Sequence, residues 1–287
     1  MQRSFNRYSS HSQLEAIKWP RVFDGLTRID YSRDKITPDY ISSSLAGASV
    51  QGAIVINETT HEQDAFLSNF CSSLEGRIFP VIRIDPFEEN ALRLQQKALS
   101  SGGFGIYLSS MGSFQSPMQR IALDSIESAP LWRVASAFEQ VIIVEPSVKD
   151  AHLLPILATA FPRVRILVRG GLFSRLTTRD SPRTLPTPDR FTFDRLHQLE
   201  NVWVQLSPSH ARRIATVPPG TPGGWHSPAN LLTLFSNERL VWSSEHLFSP
   251  EKVYSGPEDP EDEIPDLNAL DRVAIIGGSA RKLLKWT

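Results

Sequence analysis

Eight short, predominantly apolar runs recur along this chain, and a stretch of helical periodicity follows each. The runs lie at residues 21–29, 51–57, 77–84, 104–108, 140–144, 163–168, 202–206 and 239–242. Their apolar residues fall on both faces rather than alternating with polar ones, as in strands covered on both faces. Between them, Thr37 and Pro38 supply an N-cap and a first helical residue. Residues 60–75 place Phe66, Phe70 and Leu74 on one helical face. Further helical periods are predicted at 88–101, 130–138, 149–161, 188–199 and 227–235, and helices at 266–272 and 279–286 close the chain. Strand–helix alternation implies parallel pairing with right-handed crossovers. Eight such units in 287 residues imply closure into an α/β (β/α)8 TIM barrel. The expectation is one barrel domain at 21–287 behind an N-terminal arm at 1–20. An open doubly wound sheet is the alternative. It calls for a glycine-rich phosphate turn after the first strand, and FDGLTRID is not one.

Composition narrows the partners. Hydrophobic residues make up 40% and the formal net charge is -1, so a core is expected and a basic surface for nucleic acid is not. No apolar run approaches the roughly 18 residues of a membrane span, and the polar N-terminus has no signal-peptide core. Cys71 is the single cysteine, which excludes an intramolecular disulfide and fits a reducing compartment. It falls on a predicted helix as a small buried hydrophobe. A cytoplasmic protein with a small-molecule substrate is expected, and a homodimer is left open.

The connections at 170–187, 208–226 and 246–265 are long and proline-rich, and such loops are uncommon without a role. In a barrel all three share one face and could form a lid. The stretch RLVWSSEHLFSP at 239–250 delivers Glu245 and His246 at the C-terminal end of strand eight, where barrel chemistry sits.

Several segments together resemble the amidohydrolase-related barrel family, in its branch of dicarboxylate lactonases and metal-dependent decarboxylases. They are ITPDYISSSLAGASVQGAIVIN, FPVIRIDP with GGFGIYL, LLPILATAFPRVRILVRGG, NVWVQLSPS, NERLVWSSEH and AIIGGSARKLLKW. Their order and spacing are more specific than any one of them. The resemblance implies a barrel over 21–286 and a site at the strand C-termini. Metal-binding members carry His-x-His at the end of strand one, where this chain has Leu26 and Arg28. Glu145 and Arg169 stand at the histidine positions of strands five and six, and Glu245 at the aspartate of strand eight. Leucine offers no lone pair and arginine only donates, so no metal and no other cofactor is expected. The seven histidines do not restore a site. His11, His152, His197, His210 and His226 fall on the arm, helices or loops without ligand spacing, while His61 and His246 lie near strand ends.

What replaces the metal is a ring of Arg28, Glu58, Arg83, Glu145, Arg169 and Glu245. Arginine forks suit carboxylate and enolate oxygens, and glutamates beside them can serve as acids or bases. The resemblance to lactonases implies a metal-independent enzyme acting on a small carbonyl, carboxylate or lactone compound. Its chemistry would be lactone hydrolysis, or a proton-transfer cyclisation, isomerisation or decarboxylation. Glu245 would be the acid/base, His246 a proton relay and Arg169 the holder of the carbonyl oxygen. Arg28, Glu58, Arg83 and Glu145 would line the substrate. The alternative is a non-catalytic binding or partner subunit, in which Arg–Glu pairs satisfy each other. No Gly-x-Ser-x-Gly elbow supports a serine nucleophile. Trp132, Trp203 and Trp225 are candidates for pocket or interface, with core packing expected for Trp203. The acidic run at 258–263 reads as a solvated loop.

Overall fold

The computed structural model describes residues 22–31, 36–58, 63–72, 77–109, 123–146, 150–170, 195–215, 228–264 and 267–286. The arm at 1–20, most of the 170–187 connection, His61, His226, Trp225 and Leu74 lie outside the described residues.

The predicted alternation is present. Strands β1 (Phe23–Ile29), β2 (Gly52–Asn57), β3 (Ile78–Arg83), β4 (Gly105–Ser109), β5 (Val141–Glu145), β6 (Arg165–Arg169), β7 (Val202–Leu206), β8 (Leu240–Trp242) and β9 (Leu247–Phe248) form one sheet in the order β8-β7-β6-β5-β4-β3-β2-β1-β9. Every pairing is parallel. Helices α1 (Pro38–Gly47), α2 (Gln63–Ser72), α3 (Ala91–Ser100), α4 (Ala129–Ala137) and α5 (Leu153–Ala160) alternate with the first six strands. Thr37 caps α1 by accepting from the Tyr40 amide at 3.2 Å, with Pro38 opening the helix, as its sequence predicts.

The eighth strand is split, and the split closes the barrel. Leu240–Trp242 pairs with β7, and after a break at 243–246 Leu247–Phe248 pairs with β1. Across the break the Glu245 amide donates to the Leu26 carbonyl at 3.0 Å and the Arg28 amide to the His246 carbonyl at 2.8 Å. The chain thus has the (β/α)8 barrel fold.

Two cores follow from strand pleating, because successive side chains point to opposite faces. Ala53, Val55, Ile82, Ile106, Val144 and Val204 face the helices, packing with residues such as Ile41, Leu45, Phe66 and Phe70. Leu26, Ile54, Ile56, Val81, Ile143, Leu167 and Trp203 fill the interior, so Trp203 is core, as expected. Trp132 is fully buried in the helix layer, its indole donating to the Leu123 carbonyl at 3.0 Å, so it lines neither a pocket nor an interface. Cys71 is buried on α2, and burial pushes its thiol up to about 11.

The N-terminal end of the barrel is stoppered. Helix α9 (Ser279–Leu284), which follows α8 (Ala269–Val273) through one π turn, inserts Ala280, Leu283 and Leu284 into the interior core. Trp286 then packs at 5.6 Å from both Phe23 and Phe79. Each fully buried side chain of this kind stabilises by about 1.5–3 kcal/mol. With that end filled, access is left to the C-terminal mouth.

Two loop expectations need correction. Pro208–Ala215, within the 208–226 connection, is a helix (α6). Its proline occupies the first turn, where a missing N–H costs nothing, and Ser207 caps it by accepting from the His210 amide at 3.4 Å. The acidic run at 258–263 is not simply solvated either: Arg212 of α6 pairs with Glu258 and Glu263, and Arg272 of α8 with Asp259. Helix α7 (Pro228–Phe235) precedes β8 as predicted. No helix among the described residues is long and apolar enough to cross a membrane.

Candidate functional site at the barrel mouth

Interior positions at the strand C-termini are polar where those one layer below are apolar. Arg169 ends β6 and is 7% exposed. Its guanidinium donates through Nη1 to Glu145 Oε2 at 2.9 Å and Tyr107 Oη at 3.1 Å, and through Nη2 to Glu245 Oε1 at 2.8 Å. Tyr107 Oη in turn donates to Glu145 Oε2 at 2.5 Å. The Arg169 Nε has no acceptor among the described residues. Burial works against the guanidinium's charge, but Tyr107, Glu145 and Glu245 outweigh it and raise its pKa. Burial pushes the Tyr107 phenol up to about 12, so it remains a protonated donor.

Glu245 sits in the strand break with φ of 52°, a left-handed conformation that costs a non-glycine residue of order 1 kcal/mol or more. The break is fastened by its neighbour. Asp24 of β1, fully buried, accepts from the Ser244 amide at 2.9 Å, the Ser244 hydroxyl at 2.5 Å and the Tyr254 hydroxyl at 2.7 Å. Burial pushes the Asp24 carboxyl up to about 6, against those donors. The Glu245 carboxylate, 14% exposed, is set by opposing influences: burial would raise its pKa, but Arg169, His210 and Arg28 hold it below the usual carboxylate range.

The second oxygen of Glu245 faces α6. His210 Nε2 and Ser207 Oγ each lie 3.5 Å from Oε2, and Ser207 Oγ is 3.1 Å from His210 Nδ1. Gly170 makes room for this ring: a Cβ there would fall 2.6 Å from His210 Nδ1 and 2.5 Å from the Gln205 carbonyl oxygen. His210 and Tyr107 are not singled out by the sequence as site residues. The readable signal for His210 was Ser-Pro-Ser-His straight after β7, a cap and first-turn proline that start a helix at the mouth.

The remaining expected residues are at the same mouth. Arg28 donates through Nε to the Glu245 carbonyl at 3.1 Å and pairs with Glu58 at 3.2 Å. Arg83 donates to the Glu58 carbonyl at 3.0 Å and lies 6.0 Å from the Tyr107 ring centre. Among the described residues no carboxylate pairs with it. His246 is turned elsewhere. Its ring packs edge-on against Phe248 and Tyr254 at 5.1 and 5.2 Å, and its Nε2 has no partner among the described residues. Burial, then Lys252 and Arg28, lower its pKa, which favours the neutral ring. His210, not His246, touches the Glu245 carboxylate.

These residues do not fit a divalent cation. Leu26 is fully buried in the interior core and offers no lone pair. Glu145 and Glu245 already converge on the Arg169 guanidinium. Among the described residues no group of three His, Cys, Asp or Glu side chains could hold an ion.

No protein-family model matches the chain, and no curated protein does. Solved structures do. A candidate 2-pyrone-4,6-dicarboxylic acid hydrolase of Pseudomonas putida is 17% identical, with 93% of this chain and 98% of that one covered, at a TM-score of 0.58. An uncharacterised TIM-barrel protein of Bordetella bronchiseptica is 12% identical over 92% and 98%, at 0.64. A dihydroxybenzoic acid decarboxylase of Polaromonas sp. JS666, solved with manganese and the inhibitor 2-nitroresorcinol, is 15% identical over 92% and 96%, at 0.59. At these identities the likeness is one of fold, and it falls among the barrels that the sequence segments resemble. The chain has a TIM-barrel fold, which it shares with these solved hydrolase and decarboxylase structures.

Proposed function

We propose that the chain is a metal-independent enzyme of this barrel type, acting on a small lactone, carbonyl or carboxylate compound at the mouth around Arg169. The observation that carries the reading is the Glu145–Arg169–Glu245 arrangement. A guanidinium stands between the carboxylates, so charge at the mouth is organised by fixed hydrogen-bond donors. Such donors stabilise developing negative charge without reorganising.

In this reading Arg83, paired with no described carboxylate, anchors a substrate carboxylate or carbonyl oxygen, and Arg28 supports it. Glu58 and Glu145 hold the arginines in place. Arg169 orients Glu245. For a lactone, the oxygen of water bonds to the carbonyl carbon and its proton passes to Glu245. The ring C–O bond then breaks, and the departing oxygen takes a proton back. Decarboxylation or isomerisation would use the same carboxylate to move a proton to or from carbon. The cytoplasmic location belongs to this reading and rests on the lone buried thiol of Cys71.

A specific observation favours a second reading. Leu26 fills the interior and both terminal nitrogens of Arg169 are taken by the chain's own carboxylates, as a non-catalytic binding or partner subunit would have it. The experiment is a thermal-shift panel of lactones and mono- and dicarboxylic acids, followed by turnover assays on whatever stabilises the protein. The enzyme reading expects turnover by the wild type and none by Glu245→Gln. Stabilisation without turnover, or none by any compound, would favour the partner reading.

A further inference from the structure

Glu245 is poorly suited to keep the proton it takes. Its carboxylate is hydrogen-bonded by Arg169 and held below the usual carboxylate range. An unperturbed imidazole, at about 6.5, is roughly a hundredfold stronger base than an unperturbed glutamate at about 4.3. The structure sets an imidazole at the oxygen of Glu245 that Arg169 leaves open.

We propose that His210 is a positioning residue for Glu245 and the store for the proton that Glu245 takes up. This rests on the reading of the mouth as a catalytic site. Three features of the geometry carry it. His210 Nε2 lies 3.5 Å from Glu245 Oε2, the kind of separation that catalytic pairs often show before substrate binds. Ser207 Oγ, 3.1 Å from Nδ1 and 3.5 Å from the same carboxylate oxygen, fixes the ring from its other side. Gly170 removes the Cβ that would displace the ring. Once Oε2 carries a proton, its O–H donates to the lone pair of a neutral Nε2, with Nδ1–H donated to Ser207. As the oxygen of water bonds to the carbonyl carbon and the carbonyl π pair moves onto its oxygen, one water O–H bond breaks, the proton passes through Oε2, and an N–H bond forms at Nε2. The resulting imidazolium sits beside the carboxylate, as in a histidine–acid pair. The reverse transfer returns the proton to the departing oxygen.

Among the described residues, those facing this ring include Glu245 from the strand break, Gly170 from the end of β6, and Ser207. Arg169 and Arg28 bear on it through Glu245. Arg212, on its own helix, is turned to Glu258 and Glu263.

Two measurements on the full-length protein test this. The first needs no substrate: the His210 imidazole is titrated by NMR, with His210→Gln used to assign its signal. Glu245→Gln should lower the proton affinity of His210 at least tenfold. An unchanged midpoint overturns the proposal whatever the substrate panel shows. The second uses any compound found to turn over. The wild-type acid inflection in kcat/KM should fall in the imidazole range. His210→Gln should move it into the carboxylate range and lower kcat by tenfold or more with KM kept. A wild-type inflection already in the carboxylate range, unmoved by His210→Gln, overturns it. If nothing turns over, the catalytic reading fails and the first measurement alone decides the His210–Glu245 coupling.

Discussion

Arg169 and Glu245, from strands six and eight, meet at 2.8 Å across the barrel mouth with side chains 9% and 14% exposed. Ion pairs this sheltered are costly to form and costlier to break on one side, because the survivor keeps its charge without its partner. Arg169→Met would leave Glu145 and Glu245 facing each other. It should destabilise the protein by about 3–5 kcal/mol, read from urea unfolding. Arg169→Lys should recover only part of that, since a single ammonium cannot replace the fork. A loss below about 1 kcal/mol for Arg169→Met would show that the pairs do not hold the mouth together.

The pH dependence of stability should carry the mark of Asp24. Its folded pKa of about 6 lies above the ordinary value of about 3.9, so between those values the folded state binds more protons than the unfolded one. Its contribution is therefore complete below about pH 4 and is lost as pH rises through 6, on the order of 3 kcal/mol in all. Wild type minus Asp24→Asn, followed by unfolding between pH 4 and 8, should show that decline. A flat difference would mean that Asp24 does not lose its proton in that window.

Glu245 shifts the other way. Its folded pKa is held low, so its share of stability is present above the unfolded pKa and is lost as pH falls through the folded one. Wild type minus Glu245→Gln should accordingly shrink on acidification below about pH 4. A gap that widens there would contradict the depressed carboxylate.

Backbone and side chain at 245 can be separated. Glu245→Gly and Glu245→Ala both remove the carboxylate, yet only glycine adopts the φ of 52° freely. The glycine variant should be the more stable by about 1 kcal/mol. Equal stabilities in thermal melts would mean that the break relaxes when the side chain is removed.

Gly170 should not tolerate a methyl group. A Cβ there meets the Gln205 carbonyl oxygen at 2.5 Å as well as the His210 ring, and the carbonyl belongs to a paired strand that cannot yield. Gly170→Ala should cost about 1–3 kcal/mol, the usual range for overpacking. A neutral result would show that β6 and α6 are less tightly docked than they stand.

The barrel could be read along the chain because strand and helix each carry a local period. Apolar patterning bounds Val202–Leu206 to the residue and the other seven predicted strands to within two residues. The strand-end arginines and glutamates were legible for the same reason: once β6 is placed, Arg169 must end it. Other features were not legible. The Pro208 helix hid behind a proline that reads as loop and is a first-turn residue. The split of strand eight leaves no pattern, since two apolar residues at 247–248 are too few to show a period. Asp24 looked like one more residue in an apolar strand, while its partners Ser244 and Tyr254 lie more than two hundred residues away.

The order of amino acids thus decides the eightfold alternation and which residue types line the C-terminal rim, because periodicity and strand polarity are local. Only tertiary structure decides pairing at the rim. Arg169 chooses Glu145 and Glu245, Arg28 chooses Glu58, and His210 rather than His246 reaches Glu245. Contacts of 2.8–3.5 Å between residues tens of positions apart depend on how the barrel closes, and no local pattern encodes that.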